Sequence, residues 1–300
     1  MTAGAPQTDP CNGLQLEFLH RQTAHCESGV TAGLLSHHGI RISEALAFGM
    51  GAALFFGYFP FVKVGGLPLT TFRNTPGTII KKVTRRLGVG LTRQRFRDPE
   101  TAMAALDRTL AAGTPVGLQA GVFWLPYFPP ALRFHFNAHN LIVYGRRGDE
   151  YLISDPVFDE PVVCPRADLL KARFAKGPFA PRGSMYFVSR LPAAPSLQPA
   201  VRRGIKEVCR LMTALPVPLI GVRGIRFLAG RLELWPRKLG HRQASRYLGQ
   251  LIRMQEEIGT GGAGFRFMFA AFLQEAGQVL GDDRLLGCSQ EMTAIGDRWR

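Results

Sequence analysis

The sequence predicts a two-domain α+β protein: an N-terminal domain that mixes helices with hairpin strands, then an all-α domain. Three observations predict it. A cysteine opens a small-residue, helix-like stretch at 26–38 with Gly39 as its stop. Two strand-like runs, 139–144 and 150–154, flank a short turn containing Gly148. Beyond a Pro/Ala-rich stretch at 191–200, only helical periodicity remains. A chain of 300 residues, 46% hydrophobic, can bury two modest cores. The expected division is a lead-in at 1–20, a first domain at 21–190, a linker at 191–200 and a helical domain at 201–300.

The stretch that organises the first domain is His25-Cys26-Glu27-Ser28-Gly29. First-turn N–H groups and the helix dipole favour an anion there, and thiol pKa values at such positions fall from about 8.5 toward 3.5–7.5. Taken alone, a cysteine is more often a small buried apolar side chain. Its chemistry depends on whether the chain supplies a base and an orienter.

After Gly39, a second helix is expected from Ser43, whose hydroxyl can cap it, through Gly49. Residues 57–75, rich in Gly, Pro and Phe, read as irregular. The uncharged run 45–62 approaches the length of a membrane span, but Gly49, Gly51, Gly57 and Pro60 make it a buried helix leading into an aromatic wall. Residues 78–87 place Ile79, Ile80, Val83 and Leu87 at helical spacing with Lys81, Lys82, Arg85 and Arg86 opposite them. Asp98-Pro99 signals the next helix, as N-cap and first helical residue. Residues 114–119 read as a buried strand, and 123–130 as an irregular aromatic loop.

The two strand runs supply the base and the orienter. If Arg146, Arg147 and Gly148 form a three-residue loop, paired residue numbers sum to 294 and His139 faces Asp155. Directly opposed side chains have Cβ atoms about 4.5–5.5 Å apart, so the carboxylate would hold the imidazole by a ring N–H. Cysteine, histidine and carboxylate in this order have the logic of a thiol-nucleophile triad. His135 competes with His139 as base. Cys26, His37 and His38 lack the ligand spacing of a metal site, and no metal or resident cofactor is expected.

His25-Cys26-Glu27, the run 43–51, Leu125-Pro126-Tyr127, the His139 strand and Asp155-Pro156 together resemble the butirosin biosynthesis protein H family. The resemblance covers roughly 21–190. It implies a papain-like cysteine peptidase fold, an antiparallel sheet with an N-terminal nucleophile helix, related to bacteriocin-processing cysteine peptidases. It also implies transfer of an acyl group from an acyl carrier protein to a small amine in secondary-metabolite biosynthesis, the phosphopantetheine arm belonging to the partner. By position it makes Cys26 the nucleophile, His139 the base and Asp155 the orienter. Those peptidases commonly place an oxyanion-hole glutamine six residues before the nucleophile. Here that position is His20 and the nearest glutamine is Gln22, which leaves backbone N–H groups at Cys26 as the substitute. The residues leave open a peptidase or thioesterase, and a non-catalytic module that binds carrier proteins.

A net charge of +15 points to an acidic partner. The basic clusters are spread through patterned segments without a nucleic-acid motif, so an acidic carrier protein is the favoured partner and nucleic acid is not. Five sparse cysteines, Cys11, Cys26, Cys164, Cys209 and Cys288, and a leader without an apolar core predict a reducing, cytoplasmic setting with no membrane span. In the helical domain, periodic runs at 201–215, 224–235, 242–258 and 264–276 surround a glycine-rich turn at 259–266. No strand precedes that turn and no Lys-Ser/Thr follows it, so a packing role is expected.

Overall fold

The computed structural model describes residues 7–9 and 13–300, with side chains from 13 onward. Cys11 and much of the expected lead-in lie outside the described residues. In chain order the strands are β1 (Gln7–Asp9), β2 (Gly13–Gln15), β3 (Leu54–Val64), β4 (Leu67–Arg73), β5 (Gly90–Gln94), β6 (Val116–Ala120), β7 (His139–Arg147), β8 (Glu150–Ser154), β9 (Val162–Pro165) and β10 (Met185–Arg190). The helices are α1 (Cys26–His37), α2 (Glu44–Met50), α3 (Thr78–Leu87), α4 (Pro99–Ala111), α5 (Arg166–Arg173), α6 (Leu197–Cys209), α7 (Gly221–Leu232), α8 (Trp235–Leu239), α9 (His241–Glu256), α10 (Arg266–Leu280) and α11 (Arg284–Trp299).

Contacts divide the chain into two compact units. The first comprises residues up to Glu44 with Leu87–Pro195; the second comprises Ala45–Arg86 with Ser196–Arg300. In the first, an eight-stranded sheet runs β1-β2-β7-β6-β10-β5, with β8 pairing both β7 and β9. All these pairs are antiparallel. Leu106 and Leu110 of α4, Leu118 of β6, Leu141 and Val143 of β7, and Leu169 of α5 form its core. α1 packs tightly on the sheet because its facing residues are small: a Cβ on Gly33 would come within 3.0 Å of Ile142 Cδ1. α4 begins as its sequence dictates, with Asp98 accepting the Thr101 N–H at 2.6 Å and Pro99 in the first turn. The order of α1 and then an antiparallel sheet is the one expected for the first domain, and the helical region 197–300 follows it.

Residues 45–86, expected inside the first domain, belong to the second unit, and the reason is steric and electrostatic. In α2, a Cβ on Gly49 would fall 2.0 Å from Cγ of Phe272 on α10, so glycine is what lets these helices meet. In α3, Lys82 and Arg86 both pair with Glu207 of α6, Lys82 at 2.8 Å, and Arg86 also donates to the Met50 carbonyl. The stretch 57–75 is not irregular either: β3 and β4 form a hairpin through Gly65 and Gly66, both with positive φ. Glycine is required at that turn because the left-handed region carries no Cβ penalty for it alone.

The runs expected to be helical in the C-terminal region are helical, and α11 is added to them. The glycine-rich turn is filled from within: the Glu256 carboxylate accepts the Ala263 N–H, and a Cβ on Gly264 would strike Phe72 at 2.5 Å. Among the described residues no helix is long and apolar enough to cross a membrane, and Cys26, Cys164, Cys209 and Cys288 form no disulfide.

Candidate active site

α1 starts at Cys26 because the preceding segment is held as a cap. His25 is extended and its ring accepts the Ser28 N–H, which satisfies a first-turn donor. The Glu44 carboxylate receives the N–H groups of Ala24 and His25 at 2.9 and 3.1 Å. Burial pushes the pKa of Glu44 up, with those N–H donors opposing the shift. The nucleophile candidate therefore sits on a rigid loop-to-helix corner.

His139 opens β7, and its Nε2 lies 2.7 Å from Oδ2 of Asp155. His139 is 3% exposed and Asp155 0%. The pair meets by a different register from the one expected. The β7–β8 hairpin closes with Arg147 opposite Glu150, Gly148 having a positive φ, and a bulge between Val143 and Gly145 then shifts the pairing so that Ile142 faces Ser154. Asp155 lies beyond the last paired residue. It reaches His139 because the chain turns at Asp155-Pro156, where the Val157 N–H donates to Oδ1 of Asp155 at 3.1 Å.

The Tyr127 hydroxyl donates to the same Oδ2 at 2.9 Å. Burial, with the Asp155 carboxylate next in importance, keeps this phenol protonated well beyond its usual range. Phe128 sits edge-on to the His139 ring, and Phe158 packs against both Tyr127 and Phe128. With Nε2 tied to Asp155, Nδ1 is the ring nitrogen left for the thiol, and a hydrogen bond joins the His139 and Cys26 side chains. Burial disfavours the imidazolium, but Asp155 and the Cys26 sulfur outweigh it and raise its pKa to about 10. This arrangement favours a thiolate beside an imidazolium.

The other candidates separate. His135 is exposed and stacks on Phe123 at 4.2 Å between centroids. His37 ends α1, so at about 1.5 Å per residue it lies roughly 16 Å from Cys26 and shares no ligand sphere with it. At position 20, the His ring bridges Ser154 Oγ at 2.7 Å and the Phe158 carbonyl at 3.1 Å, clamping the segment on both sides of Asp155. Gln22 donates to the Val157 carbonyl at 3.4 Å. Both side chains brace the Asp155 turn and leave the sulfur to others.

Three residues of this site escape the sequence pattern: Glu44, Asn140 and Tyr186. Asn140 extends Nδ2 to 4.0 Å from Cys26 Sγ, while its Oδ1 accepts the Tyr186 hydroxyl at 2.8 Å. The signal for Asn140 is a polar residue beside His139 in an otherwise apolar strand. Nothing local marks Tyr186, which arrives from β10 across the sheet.

Residues 25–156 match the family model described as Butirosin biosynthesis protein H, N-terminal, and residues 167–300 match Domain of unknown function (DUF4872). No curated protein matches the chain. Among solved structures, the chain is similar to a protein described as a candidate C39-like peptidase from Bacillus anthracis, at 14% identity and a TM-score of 0.41, over 59% of this chain and 96% of that one. It is also similar to the peptidase domain of Streptococcus ComA, a bi-functional ABC transporter involved in a quorum-sensing pathway, at 15% identity and a TM-score of 0.33, over 62% and 96%.

Proposed function

The chain carries a butirosin biosynthesis protein H N-terminal domain followed by a DUF4872 domain, and from that premise we propose that it is a cysteine-dependent acyltransferase. It moves an acyl group from an acyl carrier protein thioester, through an acyl-enzyme on Cys26, to a small-molecule amine. The observation that carries this reading is the thiol at the start of α1 beside an imidazole whose far nitrogen is held by a fully buried carboxylate.

The Cys26 thiolate attacks the thioester carbonyl, and the tetrahedral intermediate expels the carrier-protein thiolate, which takes the proton of the His139 imidazolium. The incoming amine then attacks the acyl-enzyme and gives its proton to the neutral His139, and collapse of the second intermediate releases the amide and restores the thiolate. Asp155 holds the ring orientation and stabilises the imidazolium without taking a proton itself. The aromatic shell of Tyr127, Phe128 and Phe158 shields the His139–Asp155 pair from water, which strengthens the interaction that orients the imidazole.

The positive net charge suits an acidic carrier protein. On α3 the outward cations are Lys81 and Arg85, both exposed. Lys82 and Arg86 turn inward to Glu207 and serve packing. Product analysis tests the reading: with an acylated carrier protein as donor, added amines divert product from free acid to amide. Free acid alone, with every amine class tried, makes the protein a thioesterase or peptidase instead.

A further inference from the structure

Any acyl transfer at Cys26 places negative charge on the former carbonyl oxygen, and that charge needs a donor already in place. Neither His20 nor Gln22 is available, since both are bonded to the Asp155 turn. We infer that Asn140 is the side-chain donor to this oxyanion and that Tyr186 is the residue that positions it. The inference rests on the acyl-enzyme reading and adds a residue to it.

The geometry is built rather than incidental. Alternation along β7 puts Asn140 on the same face as Ile142, the face against which α1 packs through Gly33. Asn140 is 5% exposed, so its amide must be satisfied by protein. Its Oδ1 accepts the Tyr186 hydroxyl at 2.8 Å and its Nδ2 donates to the Ala138 carbonyl at 3.1 Å, which leaves the second Nδ2 hydrogen directed at sulfur, 4.0 Å away. The tyrosine hydroxyl donates to Oδ1 while Nδ2 donates to the Ala138 carbonyl, and together these two bonds turn the NH2 end of the amide toward Cys26. Burial, then the charges of Glu27 and Cys26, push the Tyr186 pKa well above its usual range. An oxyanion donor belongs about 2.7–3.1 Å from an oxygen two bonds from the sulfur. A separation of 4.0 Å from the sulfur itself leaves room for that oxygen.

The path from Tyr186 to Asn140 crosses a whole strand. Tyr186 on β10 pairs with Gly117 on β6, and β6 pairs with β7. A Cβ at position 117 would stand 2.2 Å from Cε2 of Tyr186, so the missing side chain of Gly117 is the gap through which the ring reaches β7. A glycine in the interior of a central strand is otherwise unfavourable, and here it has a specific use.

Asn140→Ala and Tyr186→Phe in the full chain test the inference with three readouts. These are acylation of Cys26 by a small N-acetylcysteamine thioester, alkylation of Cys26 by iodoacetamide across pH, and protection from alkylation by butanal, whose thiohemiacetal carries the same oxygen. For Asn140→Ala the expected result is acylation slowed about 10²–10³-fold, alkylation within about threefold of wild type with an unchanged pH profile, and butanal protection weakened about tenfold or more. Tyr186→Phe follows with a smaller loss, about tenfold, and the same split. Acylation at the wild-type rate in Asn140→Ala overturns the inference. So does alkylation falling in the same proportion, since Asn140 would then serve the thiolate or the packing. If the thioester does not acylate even the wild type, the transferase reading fails separately, and butanal still decides. Weaker protection in Asn140→Ala sustains the donor; equal protection, or none in the wild type, removes it.

Discussion

Two cysteines of the first unit lie in regions that make opposite use of the same side chain. Cys26 stands at the start of α1, partly accessible, with an imidazole and an amide turned toward it. Cys164 lies in β9 within the core, wholly buried, its thiol directed at the Pro165 carbonyl. Burial pushes the Cys164 pKa up to about 12, helped by the nearby carboxylates of Asp168 and Glu150, so it remains a neutral thiol. The difference teaches that what a thiol can do is set by its surroundings. A helix start and a cationic partner favour the thiolate at Cys26, whereas desolvation and anions suppress it at Cys164.

The strongest way to break this comparison is to remove each sulfur. Cys26→Ala is expected to lower acyl turnover by about 10⁴-fold or more, measured with a carrier-bound or small thioester. Asp155→Asn comes next, at about 10²–10⁴-fold, because the imidazole loses the charge that orients it and holds its proton. The pH profile sharpens the cause. Raised to about 10, the His139 pKa predicts an alkaline limb of turnover near that pH; in Asp155→Asn the limb should shift downward. A limb that stays near 10 in the variant would assign the shift to something other than Asp155. The sign for stability is the same. A folded-state pKa above the ordinary value near 6.5 stabilises the fold fully below 6.5, and this contribution fades as pH rises through about 10. Denaturant midpoints at pH 6 and pH 10.5 should therefore differ more in the wild type than in Asp155→Asn.

Smaller effects separate the two faces of α3 in the second unit. Lys81→Glu with Arg85→Glu should slow turnover of a carrier-bound donor about three- to tenfold, an effect that shrinks with added salt. A small thioester should be turned over unchanged. Lys82→Ala should leave both donors alone and lower stability by less than about 1 kcal/mol, since its pair with Glu207 is partly solvated. The smallest expected effect on activity belongs to Cys164→Ser, within about twofold. Its cost falls on folding, about 1–3 kcal/mol for a hydroxyl placed in an apolar core, read from urea denaturation.

How much of this was legible in the sequence differs from element to element. Local signals carried far: Asp98-Pro99 set the start of α4, and periodicity gave the bounds of α3. The hairpin register was not legible, because the bulge between Val143 and Gly145 and the turn at Asp155-Pro156 have no local code that fixes both. His139 and Asp155 meet nonetheless, through the turn rather than across the ladder. β4 was hidden because its buried positions are Pro68, Thr70 and Phe72, while Leu67 and Leu69 face the other way, which inverts the usual apolar alternation. The membership of 45–86 in the second unit and the inward turn of Lys82 and Arg86 depend on Phe272 and Glu207, more than a hundred residues away. Sequence spacing finds residues that share an element; it does not find those, such as Asn140 and Tyr186, that a sheet brings together across three strands.

The central claim is that Cys26, made nucleophilic by His139 and Asp155, carries the acyl group. Intact-protein mass spectrometry with peptide mapping, after brief mixing with an acylated carrier protein, tests it most directly. The account predicts one added acyl mass, mapped to Cys26, lost in Cys26→Ala and discharged when an amine is supplied. An adduct mapped instead to Cys164, Cys209 or Cys288, or an acyl mass that persists in Cys26→Ala, would contradict it.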